Sequence, residues 1–173
     1  MIGVSTLPIL LAAQLVGQLT SGLQIGEPVP SWEPVHVAGP DRGTRACPIC
    51  TYGARPMVLV VTKDGPDLAG LAAKVEALLG GIGGTEVKGF VMVVGSSPEK
   101  LRRLARERPI VRTALCYPQR HHEDVDLRRK LKINPDARNT VLVYRRFRVT
   151  ANFVNVTPAG FGVVEEAVRR AME

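Results

Sequence analysis

The chain predicts an α/β fold with a mixed central sheet and helices on both faces. Two Val-rich apolar runs are each followed by an amphipathic stretch at helical spacing, the pattern of parallel strands joined by crossover helices. Two further strand-like runs then follow one another too closely for anything but an antiparallel hairpin, and a last helical stretch closes the chain. A length of 173 residues suits one domain with a core of its own, and a 45% hydrophobic content agrees with a globular chain.

The first strand is Met57 to Thr62, a continuous apolar run expected of a strand covered on both faces. Pro66 opens a helix whose Leu68, Leu71, Ala72, Val75, Leu78 and Leu79 fall on one stripe, and Gly80-Gly81 with Gly83-Gly84 close it. Val87 to Gly95 repeats the strand signal. Ser96 and Glu99 form a capping box for a second helix reaching Arg108, with Leu101, Leu104 and Ala105 on its inner edge and Pro109 as its stop.

Val111 to Cys116 reads as a short strand, and residues 123 to 132 as a short polar helix or turn with Leu127 and Leu131 inward. Thr140 to Arg145 and Val149 to Val156 are the hairpin strands. Thr157-Pro158 caps the last helix, with Phe161, Val164, Val168 and Ala171 inward and Arg169 and Arg170 placed to suit its dipole.

Upstream of these elements the chain changes character. Pro28 and Pro30 enforce an extended path, and residues 33 to 56 read as one long Gly/Pro-rich loop. That loop carries Cys47-Pro48-Ile49-Cys50. Two intervening residues let the sulfurs meet in a small ring, so the pair has the spacing of dithiol–disulfide exchange. A static disulfide and half of a metal site share that spacing. Cys47 is placed to cap a single helical turn, Pro48 through Tyr52, closed by Gly53.

The first 26 residues carry no charge, and Leu7 to Leu19 is apolar but broken by Pro8, Gln14, Gly17 and Gln18. It is too short and interrupted to span a bilayer. Residues 1–24 read either as a secretory leader, cleaved near Thr20, Ser21 and Gly22, or as an apolar segment packed on a domain of residues 25–173. Export, to the periplasm or beyond, places the cysteines in an oxidising compartment; the alternative is the cytoplasm.

The net charge of +7 gathers in Arg102, Arg103, Arg106 and Arg108, in Arg128, Arg129 and Lys130, and in Arg145, Arg146 and Arg148. Each cluster interleaves with apolar residues at core spacing, which marks solvated outer faces rather than a nucleic-acid surface. Cys116 reads as a small buried hydrophobe. His121 and His122, with Glu123 and Asp124, lack the spacing of zinc ligands. The residues call for no cofactor and no resident metal, and no phosphate loop or serine nucleophile motif is present.

The element order, the opening Gly26-Glu27-Pro28-Val29-Pro30-Ser31-Trp32 and the CPIC pair together resemble the thioredoxin-like superfamily, particularly its redoxin branch, over roughly residues 25 to 173. The resemblance implies a thiol-disulfide oxidoreductase or electron carrier acting through Cys47 and Cys50 on protein thiols or disulfides. It implies Cys47 as nucleophile, the first sulfur being the accessible one in such motifs, with Cys50 resolving; the nearby charges of Arg42 and Arg45, helped by Arg55, favour a thiolate without being specific to it. A noncatalytic binding module braced by a structural disulfide is the alternative.

Two departures stand beside the match. Redoxins carry the reactive cysteine just after the first core strand, where this chain has Lys63-Asp64-Gly65-Pro66. An extended link would leave these sulfurs about 20 Å from that place, so either the loop returns over the sheet or the chemistry has moved or been lost. A cis proline that receives substrate backbone is expected before the hairpin, where this chain has Asn139-Thr140. Peroxidase chemistry needs a dedicated cysteine at the place occupied by Lys63 to Pro66.

Overall fold

A computed structural model describes residues 19–82 and 86–173. The apolar run up to Gln18 and the Gly83-Gly84 pair lie outside the described residues. Eleven elements follow in order: β1 (Val35–Ala38), α1 (Pro48–Tyr52), β2 (Met57–Lys63), α2 (Leu68–Gly81), β3 (Lys88–Val94), α3 (Pro98–Glu107), β4 (Thr113–Tyr117), α4 (His121–Lys130), β5 (Asn139–Arg145), β6 (Arg148–Val154) and α5 (Gly162–Met172).

The strands form one sheet in the order β1-β4-β3-β2-β5-β6. β2, β3 and β4 run parallel, and β1, β5 and β6 pair antiparallel. The two crossovers step in the same direction, so α2 and α3 share a face, where α5 joins them over Val58, Val60, Val91 and Leu115. The opposite face, with Leu59, Phe90, Met92, Cys116 and Leu142, is covered by α1 and α4. Burial on both sides is why β2 and β3 read as unbroken apolar runs rather than alternating ones.

Two features of the element order differ from the sequence reading. The supposed loop from 33 to 56 contains an edge strand, β1, as well as the expected turn of helix. The last helix starts at Gly162, because Thr157 to Phe161 form turns before it. β1 is displaced to the sheet edge and its partner β4 is distant in sequence, so no local pattern announces it.

Ser21 and Leu23 are buried in the domain: the Ser21 hydroxyl meets that of Thr140 at 2.6 Å and accepts from the Asn134 amide at 2.9 Å. The arginine clusters on α3 and α4 are largely neutralised within their helices. Arg102 pairs with Glu99, Arg103 with Glu107, Arg128 with Asp124, and Arg129 and Lys130 with Asp126. No helix among the described residues is long and apolar enough to cross a membrane.

Glu76 of α2 ties the helix layer to the start of β4, accepting from the amides of Arg112 at 3.0 Å and Thr113 at 2.8 Å. Burial works to raise its pKa, but those amide bonds outweigh burial and hold the carboxyl below its ordinary value. A group whose pKa falls on folding contributes stability above its unfolded pKa and loses it as pH drops through the folded one. Glu76→Gln is therefore expected to lower stability by about 1–2 kcal/mol near neutral pH. In urea unfolding, that gap is expected to close once the pH passes below the carboxylate range.

Candidate redox site

The cysteine pair reaches its place by a return of the chain along the sheet edge. β1 runs antiparallel to β4, so the extended segment before it starts beside Tyr117 and Pro118, at the C-terminal end of β4. The chain turns at Gly39, whose φ of +88° suits glycine, and a Cβ there would lie 2.4 Å from the Thr113 carbonyl. It then runs back along the free edge of β1. The His36 amide donates to the Thr44 carbonyl at 3.1 Å, and the Gly43 amide donates to the His36 carbonyl at 2.9 Å.

The buried His36 side chain completes this clamp. Its Nε2 lies 2.9 Å from the Ala46 carbonyl; a carbonyl only accepts, so Nε2 carries the proton. Ala46 immediately precedes Cys47, so the imidazole fixes where the sulfurs begin. Further along, α1 crosses the sheet face, with the Tyr52 ring against Phe90 at 6.2 Å and its hydroxyl donating to Asp41 at 3.0 Å. The β5–β6 turn pins the far end: the Phe147 amide donates to the Gly53 carbonyl at 2.9 Å. Phe147 holds a φ of +65°, a strained conformation maintained at the contact that anchors α1.

Cys47 and Cys50 are joined by a disulfide, with their Cα atoms 5.3 Å apart. Cys47 is the N-cap of α1, as its position before Pro48 predicts, and its Sγ accepts from the Cys50 amide at 3.1 Å. The exposure of the two residues is the reverse of the sequence expectation. Cys47 is buried, 9% exposed, within the core cluster under α1 and α4, and Cys50 is the exposed member.

Both cysteines line a cleft of about 440 Å³. One wall is the extended segment Ser31 to Pro34, the other is α4 with His122, Asp126 and Lys130, and Met92 lies on the sheet between them. Arg45 lines the cleft too, but its guanidinium is committed: it donates to Gln119 at 2.7 Å, to the Glu33 carbonyl at 2.8 Å and to Glu123 at 3.1 Å. Burial works to raise the pKa of Glu123. The hydrogen bond and charge of Arg45, with the amides of Arg120 and Gln119, override it and hold that carboxyl below its ordinary value. Arg45 thus braces the mouth of the cleft instead of sitting free beside a sulfur.

Lys63 to Pro66 and Asn139 line none of this cleft; Lys63, Asp64, Gly65 and Asn139 border separate hollows at the ends of β2 and β5. The Asn139 side chain is occupied in pinning the hairpin, donating to the Val156 carbonyl at 2.8 Å and accepting from the Val156 amide at 2.9 Å. No cis peptide bond occurs among the described residues. The loop therefore does return over the sheet, yet it brings the sulfurs to the end of β4 rather than to the end of β2.

Cys116 is fully buried on β4, where its thiol donates to the Val91 carbonyl at 3.6 Å. Burial, and secondarily the Asp41 charge, push its pKa far above the ordinary thiol range, which keeps it an inert hydrophobe. His121 and His122 begin α4, and only His122 lines the cleft. Trp32 packs in the core beside Cys47. The composition signalled none of the cleft walls; the alternation of polar Ser31 and Glu33 with apolar Trp32 and Pro34 was the available sign of an extended segment.

Among solved structures, one from Chlorobium tepidum assigned as thiol:disulfide interchange protein DsbE superposes with a TM-score of 0.70 at 8% identity, over 87% of this chain and 99% of that one. The chain has a thioredoxin-like fold. The thioredoxin domain of a thiol-disulfide oxidoreductase from Bacteroides vulgatus gives a TM-score of 0.66 at 9% identity, over 84% and 99% of the two chains. A thiol peroxidase from Chromobacterium violaceum gives 0.60 at 18% identity, over 86% and 87%. No protein-family model and no curated protein matches the chain. The thioredoxin-like neighbours and the disulfide-bonded pair agree with the fold the sequence resembles.

The clamp on the Ala46 carbonyl gives His36 a measurable role. His36→Leu keeps an apolar side chain of related size but leaves that carbonyl without its donor, and is expected to cost about 1–2 kcal/mol in urea unfolding. His36→Gln, which can donate again, is expected to recover part of the loss.

Proposed function

We propose that this protein is a thiol-disulfide oxidoreductase or two-electron carrier that works through Cys47 and Cys50 on protein thiols or disulfides. The observation that carries this reading is a disulfide whose second residue is exposed in a cleft large enough to admit a partner. In exchange, access decides which sulfur is attacked, and the better-stabilised thiolate leaves faster. Both criteria distribute the roles in the same way here. A substrate thiolate attacks Sγ of Cys50, and the bond between the two cysteines breaks. Cys47 leaves as a thiolate that retains its hydrogen bond from the Cys50 amide.

A second substrate thiolate then attacks the mixed disulfide at the substrate sulfur. The substrate departs as a disulfide, and the protein keeps both electrons as a dithiol. Run in reverse, Cys50 attacks a substrate disulfide and Cys47 resolves the intermediate. This exchanges the roles that the sequence resemblance gave the two residues, for the physical reason that Cys47 is packed under α1 and α4.

The proposal places this work in an oxidising compartment, following the uncharged N-terminal run. Ser21 and Leu23 are built into the domain, so a leader compatible with this packing ends before Ser21. The competing reading, a binding module with a structural disulfide, draws on the burial of Cys47 within the core cluster.

The purified protein is expected to accelerate insulin reduction by dithiothreitol, and Cys47→Ser or Cys50→Ser is expected to reduce that rate to background. Cys47→Ser keeps an N-cap oxygen and so preserves the helical turn. With a disulfide substrate it is expected to accumulate a mixed disulfide on Cys50 at least about tenfold faster than Cys50→Ser does on Cys47. Wild-type activity at the uncatalysed rate supports the structural reading instead.

A further inference from the structure

The wall of the cleft opposite α4 is a stretch of chain with unused backbone groups. From Ser31 to Pro34 exposed and buried side chains alternate, as in a strand, and the segment runs directly into β1. Yet no hydrogen bond among the described residues uses the amides of Ser31, Trp32 or Glu33, or the carbonyls of Ser31 or Trp32. The Glu33 carbonyl is held by Arg45. An extended segment with free donors and acceptors is a template for one more strand.

A second observation belongs to the same wall. Trp32, 9% exposed and lining the cleft, has a buried indole Nε1–H that meets no acceptor among the described residues. Buried donors without partners are rare in folded chains, and this one belongs to a residue of the cleft wall. Asn139, at the hairpin start, is occupied with Val156 and preceded by no cis peptide, so that end of the sheet offers no comparable grip.

We propose that Ser31 to Glu33 is the substrate-backbone site, and that the substrate class is an extended, cysteine-bearing polypeptide segment rather than a small thiol. This rests on the redox reading above. The substrate pairs its main chain with the Ser31–Glu33 segment and thereby lays its cysteine against Cys50. Arg45 is paired with Glu123 and Lys130 with Asp126, which among the described residues leaves the exposed Glu33 carboxylate as the one charged cleft-lining side chain outside these pairs, so recognition is of backbone more than of charge. The chemistry is the exchange already described: the substrate sulfur forms a bond to Cys50 Sγ and its former partner leaves with the electron pair.

The test uses the full chain carrying Cys47→Ser and a linear peptide whose one cysteine is activated as a mixed disulfide with thionitrobenzoate. Attack by Cys50 joins peptide to protein and releases coloured thionitrobenzoate. A second peptide of the same sequence carries N-methyl groups on the two amides flanking the cysteine, and both rates are normalised to those with N-acetylcysteine. The expected result is a loss of about tenfold on N-methylation, the effect of one or two lost hydrogen bonds. Equal normalised rates, with Cys50 still labelled readily by a small aromatic disulfide, overturn the backbone site and leave the redox reading intact. Failure of Cys50 to react even with the small reagent overturns both.

Discussion

The candidate site depends on His36. Its amide and carbonyl hold the returning strand of chain from Gly43 and Thr44, and its imidazole holds Ala46, so one residue on an edge strand sets the start of the CPIC turn. The alternative, a free loop of this length, leaves the sulfurs without a defined place and exposes the strand edge to pairing with other chains. Burial of the ring between that loop and Phe90, at 6.4 Å and edge-on, makes the clamp part of the core rather than a surface contact. At the other end of α1, the strained Phe147 supplies the opposing anchor.

Clamping the pair at the end of β4 has a chemical consequence. A cysteine placed at the head of a crossover helix combines exposure and a stabilised thiolate in one residue. Here α1 lies flat across the sheet, so its N-cap sulfur is turned toward the core and the residue one turn later toward the cleft. The two properties that exchange chemistry needs are shared between Cys47, with its amide hydrogen bond, and Cys50, with its access. The same displacement removes the pair from the hairpin start and brings it beside the unpaired backbone of Ser31 to Glu33.

Much of this was legible in the sequence. β2, β3 and α2 declare themselves because continuous Val-rich runs and a single apolar stripe each have one physical interpretation. Cys47 followed by proline and closed by Gly53 announces the helical turn for the same reason. Val35-His36-Val37-Ala38 was not legible as a strand, because four residues, alternately half-buried and buried, among prolines and glycines owe their pairing to β4, far along the chain. The exposure of the two cysteines was hidden for a related reason. It follows from the path of the returning loop, which three hydrogen bonds to one buried histidine decide. Local periodicity carries no trace of them.

The exchange reading requires a disulfide that partners can open, and its reduction potential measures this directly. The protein contains one tryptophan, Trp32, in the wall of the cleft, so its emission can follow equilibration against defined dithiothreitol or glutathione buffers. A potential above about −300 mV is the value expected of a pair that trades electrons with protein thiols. A potential below about −300 mV, in the range of bonds that only brace a fold, contradicts it.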